Sequence, residues 1–292
     1  MLLAVLLCAA CTKSELTDDA PQVNGDSVTV KTKKFTFTLK GDFTSEWKAV
    51  NKIARRGYLA ADGKDITDVW VLDYVDGALV QQLHQDDNTA EDFGKPTMNL
   101  AYGAHQVYFI ASRGVAPVLD TDAHTITFGN VRDTFWKDYE VNVVSTSNGN
   151  RAVTLDRVVT KLKLVFSDAI PTNAATFNVT PTTWYYGWDY INAAPTASAT
   201  SQTVTINIPS TSIGVVNESV NLFGFSTATE WTADVTLNAK TSGNEVIGSA
   251  SLTAVPFKAN RVSEFTGPLF GSEGGMTLSL NTSWNTSYTG TW

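Results

Sequence analysis

The feature that most restricts the fold of this chain is a two-residue periodicity, clearest at the C-terminal end. In residues 276–292, MTLSLNTSWNTSYTGTW, the large apolar side chains all occupy alternate positions, and the positions between them hold only Ser, Thr or Asn. Successive side chains of a β-strand point to opposite faces, so this pattern predicts a strand with one buried face. Seventeen residues would extend about 56 Å, well beyond a usual strand of about 5–6 residues. The stretch therefore either turns near residues 281–283 into a hairpin of its own domain or reaches partly to a neighbouring molecule.

The same alternation recurs along the rest of the chain. In FTFTLKG, Phe35, Phe37 and Leu39 alternate with polar residues, and a Gly-Asp turn follows. The segment ITDVWVLDYVDGALVQQL is apolar in both registers over residues 69–72, which predicts a strand covered on both faces, and its Asp76-Gly77 pair is a hairpin signal. No segment sustains a 3.6-residue period, so helices should be few and short. The sequence predicts an all-β protein.

Composition and length support a division into two sandwich domains. Apolar residues make up 43% of the 292-residue chain and charged residues only 17%, a mixture that suits pleated, half-buried surfaces. A polar break, STSNGN, separates two runs of strands at residues 145–150. The sequence therefore predicts tandem β-sandwich domains at residues 27–150 and 151–292, each of ordinary size, preceded by a polar tether at 12–26.

The first eleven residues, 1–11, predict an export signal. Leu2 to Ala10 is an apolar run too short to span a membrane, and it ends in small residues before Cys11. In a lipoprotein signal this cysteine becomes the acylated first residue of the mature protein; the alternative is a plain secretory signal with an incidental cysteine. Cys8 and Cys11 are the two cysteines of the chain, so disulfides, cysteine catalysis and thiolate metal sites are excluded after Cys11.

Catalytic and metal-binding patterns are missing from the sequence. His84, His105 and His124 stand far apart without ligand spacing, and Asp86-Asp87 is typical of solvated loop charges. Nucleophile elbows, phosphate loops and dinucleotide fingerprints do not occur. The net charge of −8 argues against a nucleic-acid partner, which would need a basic face. We expect no enzymatic activity, no cofactor and no bound metal.

The aromatic segment WYYGWDY, residues 184–190, is the sharpest local feature. Exposed aromatic rings stack on sugars, so Trp184, Tyr185, Tyr186 and Trp188 could form a glycan-binding surface on a surface lipoprotein. The other interpretation is that these rings pack into the core of the second domain or into the interface between the domains.

Two adjacent arginines, Arg55 and Arg56, lie in a polar stretch between the strand that ends near Lys40 and the next, which begins near Ile66. Exposed loops are where proteases cut, and a trypsin-like enzyme needs a reachable arginine. The pair is therefore a candidate site of proteolytic maturation, the alternative being an ordinary basic loop.

Taken in order, several segments resemble the fimbrillin family, the subunits and anchor proteins of protease-assembled type V pili. After the lipoprotein-like start these are FTFTLKGDF, RRGYLAADGKDITDVWVLDYVDGALV, MNLAYGAHQVYFIAS, RVVTKLKLVF and VPFKANRVSEFTGPLF. The resemblance extends from about residue 28 to residue 292 and rests on the style and order of the strands. Arg157, and Asn260-Arg261 ahead of Gly267, add to it.

The resemblance implies two transthyretin-like β-sandwich domains and a structural role in fimbriae on the outer membrane of a Gram-negative bacterium. Implied partners are other fimbrial subunits, the outer membrane through a lipid such as palmitate, an arginine-specific protease, and host or bacterial surface ligands. In the shaft subunits of the family the protease removes the first strand, and a terminal strand of a neighbouring subunit fills the groove; anchor subunits keep lipid and strand. The matching positions are Cys11 for the lipid, Arg55 or Arg56 for the cut, Phe35, Phe37 and Leu39 for the displaced strand, and Met276, Leu278, Leu280 and Trp284 for the donor strand.

Overall fold

A computed structural model describes residues 30–41, 66–113, 117–200, 202–271 and 276–279. These residues form twenty β-strands and a 3-10 helix, Ser210–Ser212, which confirms the all-β prediction. The first ten strands are β1 Thr32–Lys40, β2 Asp68–Val75, β3 Ala78–Gln85, β4 Thr97–Ala101, β5 Gly103–Ser112, β6 Val118–Asp120, β7 Thr125–Thr127, β8 Thr134–Val143, β9 Asn150–Thr154 and β10 Asp156–Arg157. The other ten are β11 Val159–Phe166, β12 Thr176–Pro181, β13 Thr183–Asp189, β14 Ala194–Thr200, β15 Val204–Asn207, β16 Glu218–Phe225, β17 Trp231–Lys240, β18 Val246–Phe257, β19 Val262–Gly267 and β20 Thr277–Ser279.

The first half of the chain builds two sheets around one core. An antiparallel five-stranded sheet has the order β10-β8-β5-β2-β3, and a three-stranded sheet has the order β4-β1-β9. Both sheets contribute apolar side chains to the core between them, among them Phe37 of β1 and Phe109 of β5. Strand β2 is apolar in both registers because Val71 faces this core while Leu72 and Tyr74 face another on the opposite side of the sheet.

The second half builds a comparable pair of four-stranded sheets. Their orders are β16-β11-β19-β20 and β15-β12-β17-β18. Within them β11 and β19 run parallel, and the other pairs are antiparallel. Alternate residues of β11, β12 and β17, such as Leu164, Phe177 and Leu237, meet in a second core. This is the arrangement expected of a sandwich with polar residues on the outer faces.

A fifth sheet joins the two halves. Its order is β14-β13-β7-β6, so strands before residue 128 pair with strands after residue 182. A third core lies beneath it and combines Leu72 and Tyr108 from the five-stranded sheet with Trp188 and Phe225 from the second half. The described residues from Thr32 onward consequently form one compact unit.

A buried charged network also connects the halves. The Asp133 carboxylate accepts hydrogen bonds from Arg157, with Nε 2.7 Å from one oxygen, and it lies 3.2 Å from the Nε of Arg113. Arg157 also donates to the side chain of Asn260 over 2.8 Å, and its guanidinium lies 4.6 Å above the ring of Phe135. Because these charges are removed from water, their mutual pairing is needed to offset the cost of desolvation. Arg157 and Asn260 are two of the positions that carry the sequence resemblance.

Candidate assembly site at the first strand

Strand β1 lies in the middle of its sheet and is bonded along both edges. It pairs antiparallel with β4 over Thr32–Thr36 and parallel with β9 over Thr36–Lys40. Next to the residues that precede β4, Phe37 and Leu39 donate their backbone N–H groups to the carbonyls of Pro96 and Gly94, at 2.9 and 3.0 Å. Both edges of β1 are therefore satisfied by other parts of the chain.

The inward face of β1 is held by aromatic packing. Phe35 and Phe37 are fully buried, and Leu39 is half-buried against the same core. The ring of Phe37 meets those of Phe109 and Tyr139 edge to face, with centroids 5.0 and 6.0 Å apart. Burying a Phe or Leu side chain stabilises a fold by about 1.5–3 kcal/mol. The three predicted residues of the displaced strand thus form its contact with the core.

Without β1, the three-stranded sheet would become a slot one strand wide. Strand β4 borders Thr32–Thr36 and β9 borders Thr36–Lys40, so the two strands face each other across β1 only at Thr36, and Pro96 and Gly94 continue the β4 side along the second half of β1. Neighbouring strands lie about 4.8 Å apart, so the backbones on the two sides of such a slot are separated by about 9.6 Å. Phe109 and Tyr139, which contact Phe37, would then line the floor of the slot. Main-chain partners and an apolar floor of this kind are what strand addition in general requires.

The polar segment at residues 145–150, predicted as a break between domains, runs along β1. The Nζ of Lys33 donates to the carbonyl of Ser145 over 2.7 Å, and the guanidinium of Arg151 lies 5.4 Å from the ring centroid of Phe35. A Cβ atom on Gly149 would come within 2.3 Å of a β1 carbonyl oxygen. Such a contact is impossible, so the close approach of this segment to β1 requires a glycine.

The start of the C-terminal stretch lies on a sheet of the second half. Met276 packs against the second core, and β20 pairs antiparallel with β19 at the edge of its sheet, with Leu278 opposite Phe265. Leu280 and Trp284 lie outside the described residues, as do Cys11, Arg55 and Arg56. The sequence left open whether residues 276–292 turn back as a hairpin or reach partly to a neighbouring molecule, and the structure describes the first four of them.

The aromatic segment is largely internal. Trp184 and Trp188 are only 2% and 3% exposed, and the indole N–H of Trp184 donates to the backbone carbonyl of Phe223 over 3.1 Å. Tyr185 and Tyr186 are half-buried beside the third core. The indole faces are therefore occupied by protein and are not available for stacking on a sugar, in agreement with the packing interpretation.

The histidines make contacts that the sequence did not indicate, and those of His105 and His84 are the shortest. His105 is buried; its Nδ1 lies 2.8 Å from the Asp73 carboxyl and its Nε2 lies 2.9 Å from the carbonyl of Ala101. Burial raises the pKa of Asp73, and the hydrogen bond and charge of His105 oppose that rise. His84 stacks on Trp70 with ring centroids 3.7 Å apart.

Neither a metal-binding cluster nor a membrane-spanning helix occurs in the described part of the chain. There, His, Cys, Asp and Glu side chains do not gather in any group of three or more that could hold a metal ion. The described residues also include no helix of the length and apolarity needed to cross a membrane.

No protein-family model and no curated protein matches this chain. Solved structures do match. A candidate polysaccharide-binding protein of Bacteroides thetaiotaomicron aligns with a TM-score of 0.51 at 9% identity, over 86% of this chain and 96% of that one. A candidate adhesin of Bacteroides ovatus aligns with a TM-score of 0.48 at 14% identity, over 91% and 97% of the two chains. The tip fimbrial protein Mfa3 of Porphyromonas gingivalis, truncated at its C terminus, aligns with a TM-score of 0.45 at 12% identity, over 85% and 99%.

The first of these matches shows that the all-β fold, over 86% of this chain, recurs in a solved protein. At such low identity the similarity concerns the fold.

Proposed function

We propose that this chain is a structural subunit or an anchor of a cell-surface fimbria, without catalytic activity, and that it joins its neighbours by strand exchange. The observation that carries the proposal is the position of β1. It is a central strand with two fully buried phenylalanines, yet it is the first described strand of the chain and can be separated from the rest by one cut. The sequence resemblance to fimbrillins supports the same role.

Cleavage after Arg55 or Arg56 would sever β1 from the body of the protein. Both arginines follow Lys40, the last residue of β1, and precede Asp68, the first residue of β2. The cut strand would remain bound by its hydrogen bonds and buried side chains until a competing strand replaced it. We therefore propose that an arginine-specific protease cuts the connection between β1 and β2. An incoming strand then displaces β1 and takes its place in the sheet.

The donor in this proposal is the C-terminal stretch of a neighbouring subunit. Because β20 holds residues 277–279 on its own sheet, the donated part begins at Leu280 and includes Trp284. Residues 280–292 would extend about 43 Å, enough to fill a nine-residue strand of about 30 Å. Their large side chains, Leu280, Trp284, Tyr288 and Trp292, all fall in one register, with Thr or Gly at the positions between them in that register, so a strand of this sequence presents one face with a bulky side chain at every second inward position.

Acylation of Cys11 is proposed to hold the protein on the outer membrane of a Gram-negative bacterium. Each buried methylene of a lipid chain contributes about 0.8 kcal/mol, so two or more chains anchor a protein stably. Replacing Cys11 with Ser should release the protein from the membrane fraction, and a variant that still incorporates a labelled fatty acid would contradict this assignment.

Two domains are also proposed, with their boundary moved from residue 150 to near Val158. Strands β9 and β10 begin at or beyond residue 150, but they pair with β1 and β8 of the first half. From Val159 onward the chain enters the sheets of the second half.

Limited digestion tests the proposed assembly. Purified protein is cut with an arginine-specific protease and its polymerisation is followed by size-exclusion chromatography, in the full chain and in two truncations that lack residues 280–292 or 276–292. We expect linear polymers from the full chain and none from either truncation, with cleavage unaffected in all three. An Arg55→Lys, Arg56→Lys double variant is the matched control, because it keeps both charges but resists the protease.

The outcomes separate the alternatives. Polymers formed by both truncations would show that the C-terminal stretch is not the donor. A full chain that stays monomeric after a clean cut would exclude the shaft role and leave the anchor role, in which β1 is retained.

A further inference from the structure

The loop between β8 and β9 holds Asn148, the one asparagine in the described part of the chain that is followed by glycine. The pair Asn148-Gly149 comes directly before Asn150, the first residue of β9. Asn148 is exposed, so water reaches its side-chain amide. Glycine lacks the Cβ atom that crowds the backbone nitrogen of other residues, and its backbone adopts a wide range of conformations. An Asn-Gly pair therefore leaves the side-chain amide open to attack by the next backbone nitrogen.

The two atoms that would react are prepared differently. The backbone N–H of Gly149 donates no hydrogen bond within the described residues, so its nitrogen is free. The side chain of Asn148 is held instead, because its Oδ1 accepts the backbone N–H of Asn150 over 2.9 Å. This is an Asx turn, which folds the side-chain carbonyl back over the Gly149 peptide. A free nucleophile thus lies next to a positioned carbonyl carbon, the condition that favours ring closure.

The hydrogen bond from Asn150 also activates the amide. When a nitrogen attacks Cγ of Asn148, negative charge develops on Oδ1, and a donor already aimed at that oxygen stabilises the charge. The preceding turn is closed at both ends: the backbone N–H of Ser147 donates to the carbonyl of Val144 over 2.9 Å, and the Ser147 hydroxyl accepts the N–H of Val144 over 3.0 Å. The loop therefore holds the activating contact in place before any reaction.

We propose that Asn148 is a site of spontaneous deamidation, at which the asparagine converts to isoaspartate and aspartate as the protein ages. The Gly149 nitrogen gives its proton to hydroxide and bonds to Cγ, the Cγ–Nδ2 bond breaks, and ammonia leaves with a proton taken from water. The resulting five-membered imide then takes up one water. Opening at the former side-chain carbonyl gives aspartate, and opening at the main-chain carbonyl gives isoaspartate. In sum, one water is consumed and one ammonia is released.

Isoaspartate at this position disturbs the contact with β1. It adds a methylene group to the main chain immediately before Gly149, whose carbonyl accepts the N–H of Thr36 over 2.7 Å. The space there is already filled, because a Cβ on Gly149 would lie 2.3 Å from the carbonyl oxygen of Lys34. The longer main chain must therefore move Gly149 and weaken its bond to Thr36. The modification loosens the start of β9 from β1, whether or not subunits exchange strands.

Mass spectrometry of the aged full chain tests the proposed site. Trypsin releases residues 138–151 as one peptide, in which the exposed Asn142 and Asn150 are internal controls because Val and Arg follow them. After storage at neutral pH and body temperature, we expect isoaspartate to accumulate at Asn148 at least about tenfold faster than at either control. Freshly purified protein, digested in parallel, gives the baseline. Labelling of this peptide by an isoaspartyl methyltransferase identifies the lengthened main chain, and Asn148→Ser should abolish that labelling.

Hydrogen exchange followed by NMR tests the effect on β1. In aged protein the amide of Thr36 should exchange at least about threefold faster than in fresh protein, because local opening becomes easier. The amide of Leu39, which bonds to Gly94 on the other edge of β1, should change less. Fresh Asn148→Asp is the matched control: it has the new charge but a main chain of ordinary length, so Thr36 should exchange at the native rate.

Two results would overturn the proposed site. One is conversion at Asn148 no faster than at Asn142, and the other is an Asn148 that converts in a synthetic peptide of residues 138–151 but stays intact in the folded chain. An unchanged Thr36 rate in the converted protein would overturn the effect on β1. These measurements use neither the protease nor polymerisation, so their failure is distinguishable from a failure of the proposed assembly.

Discussion

Replacing Phe37 with Ala tests whether β1 is held by its core contacts. The ring is fully buried and packs edge to face against Phe109 and Tyr139, at 5.0 and 6.0 Å. Truncation removes the transfer free energy of the ring and leaves a cavity, which together cost about 3–5 kcal/mol in well-packed cores. The two aromatic contacts, at about 0.5–1.5 kcal/mol each, place this site in the upper part of that range.

Leu39→Ala is the matched control on the same face of the same strand. Leu39 is only half-buried, so its truncation removes less apolar area from the core. We expect a loss of about 1–2 kcal/mol in the free energy of unfolding, which is well below the cost at Phe37.

Urea unfolding followed by tryptophan fluorescence measures both losses, and hydrogen exchange reports where they act. In Phe37→Ala the amides of β1 and those of β9 that bond to it should exchange faster, while β11 and β17 should change little, because they enclose a different core. A loss below about 1 kcal/mol, or one equal to that of Leu39→Ala, would refute the view that aromatic packing retains β1.

Three further substitutions test the close approach to β1 and two buried carboxylates. Gly149→Ala should cost more than about 1 kcal/mol and speed exchange of the β1 amides, because its Cβ would lie 2.3 Å from a β1 carbonyl oxygen; unchanged exchange would contradict the close approach. Asp133→Ala should cost about 3–5 kcal/mol by leaving buried arginines uncompensated, while Asp156→Ala, which breaks an exposed ion pair with Lys137, should cost less than about 1 kcal/mol; similar losses in urea unfolding would argue against the buried network. Burial raises the pKa of Asp73, so its contribution favours folding below the ordinary pKa of about 3.9 and is lost as pH rises through the folded pKa. Asp73→Asn should therefore gain stability relative to the native chain between pH 4 and pH 8, and a constant difference across that range would contradict it.

Local pattern in the sequence determined the strands and their apolar faces. The alternation of Phe35, Phe37 and Leu39 predicted a strand with one face in the core, as β1 has. The double apolar register near Val71 predicted a strand covered on both sides, as β2 is. These predictions succeed because the two-residue period is a property of each strand alone, independent of what covers it.

Tertiary structure decided which strands pair and what each face meets. The parallel pairing of β1 with β9 joins residues more than a hundred positions apart, and nothing in either strand's pattern specifies that partner. In the same way, the sequence left open whether Trp184 and Trp188 face solvent or pack inside. The structure buries Trp184 against β16 and the second core, and Trp188 in the third core. The network around Asp133 could not be predicted for a related reason, since its members come from four separate places in the sequence. Periodicity records the polarity of a face, whereas the identity of the surface against that face is set by long-range packing.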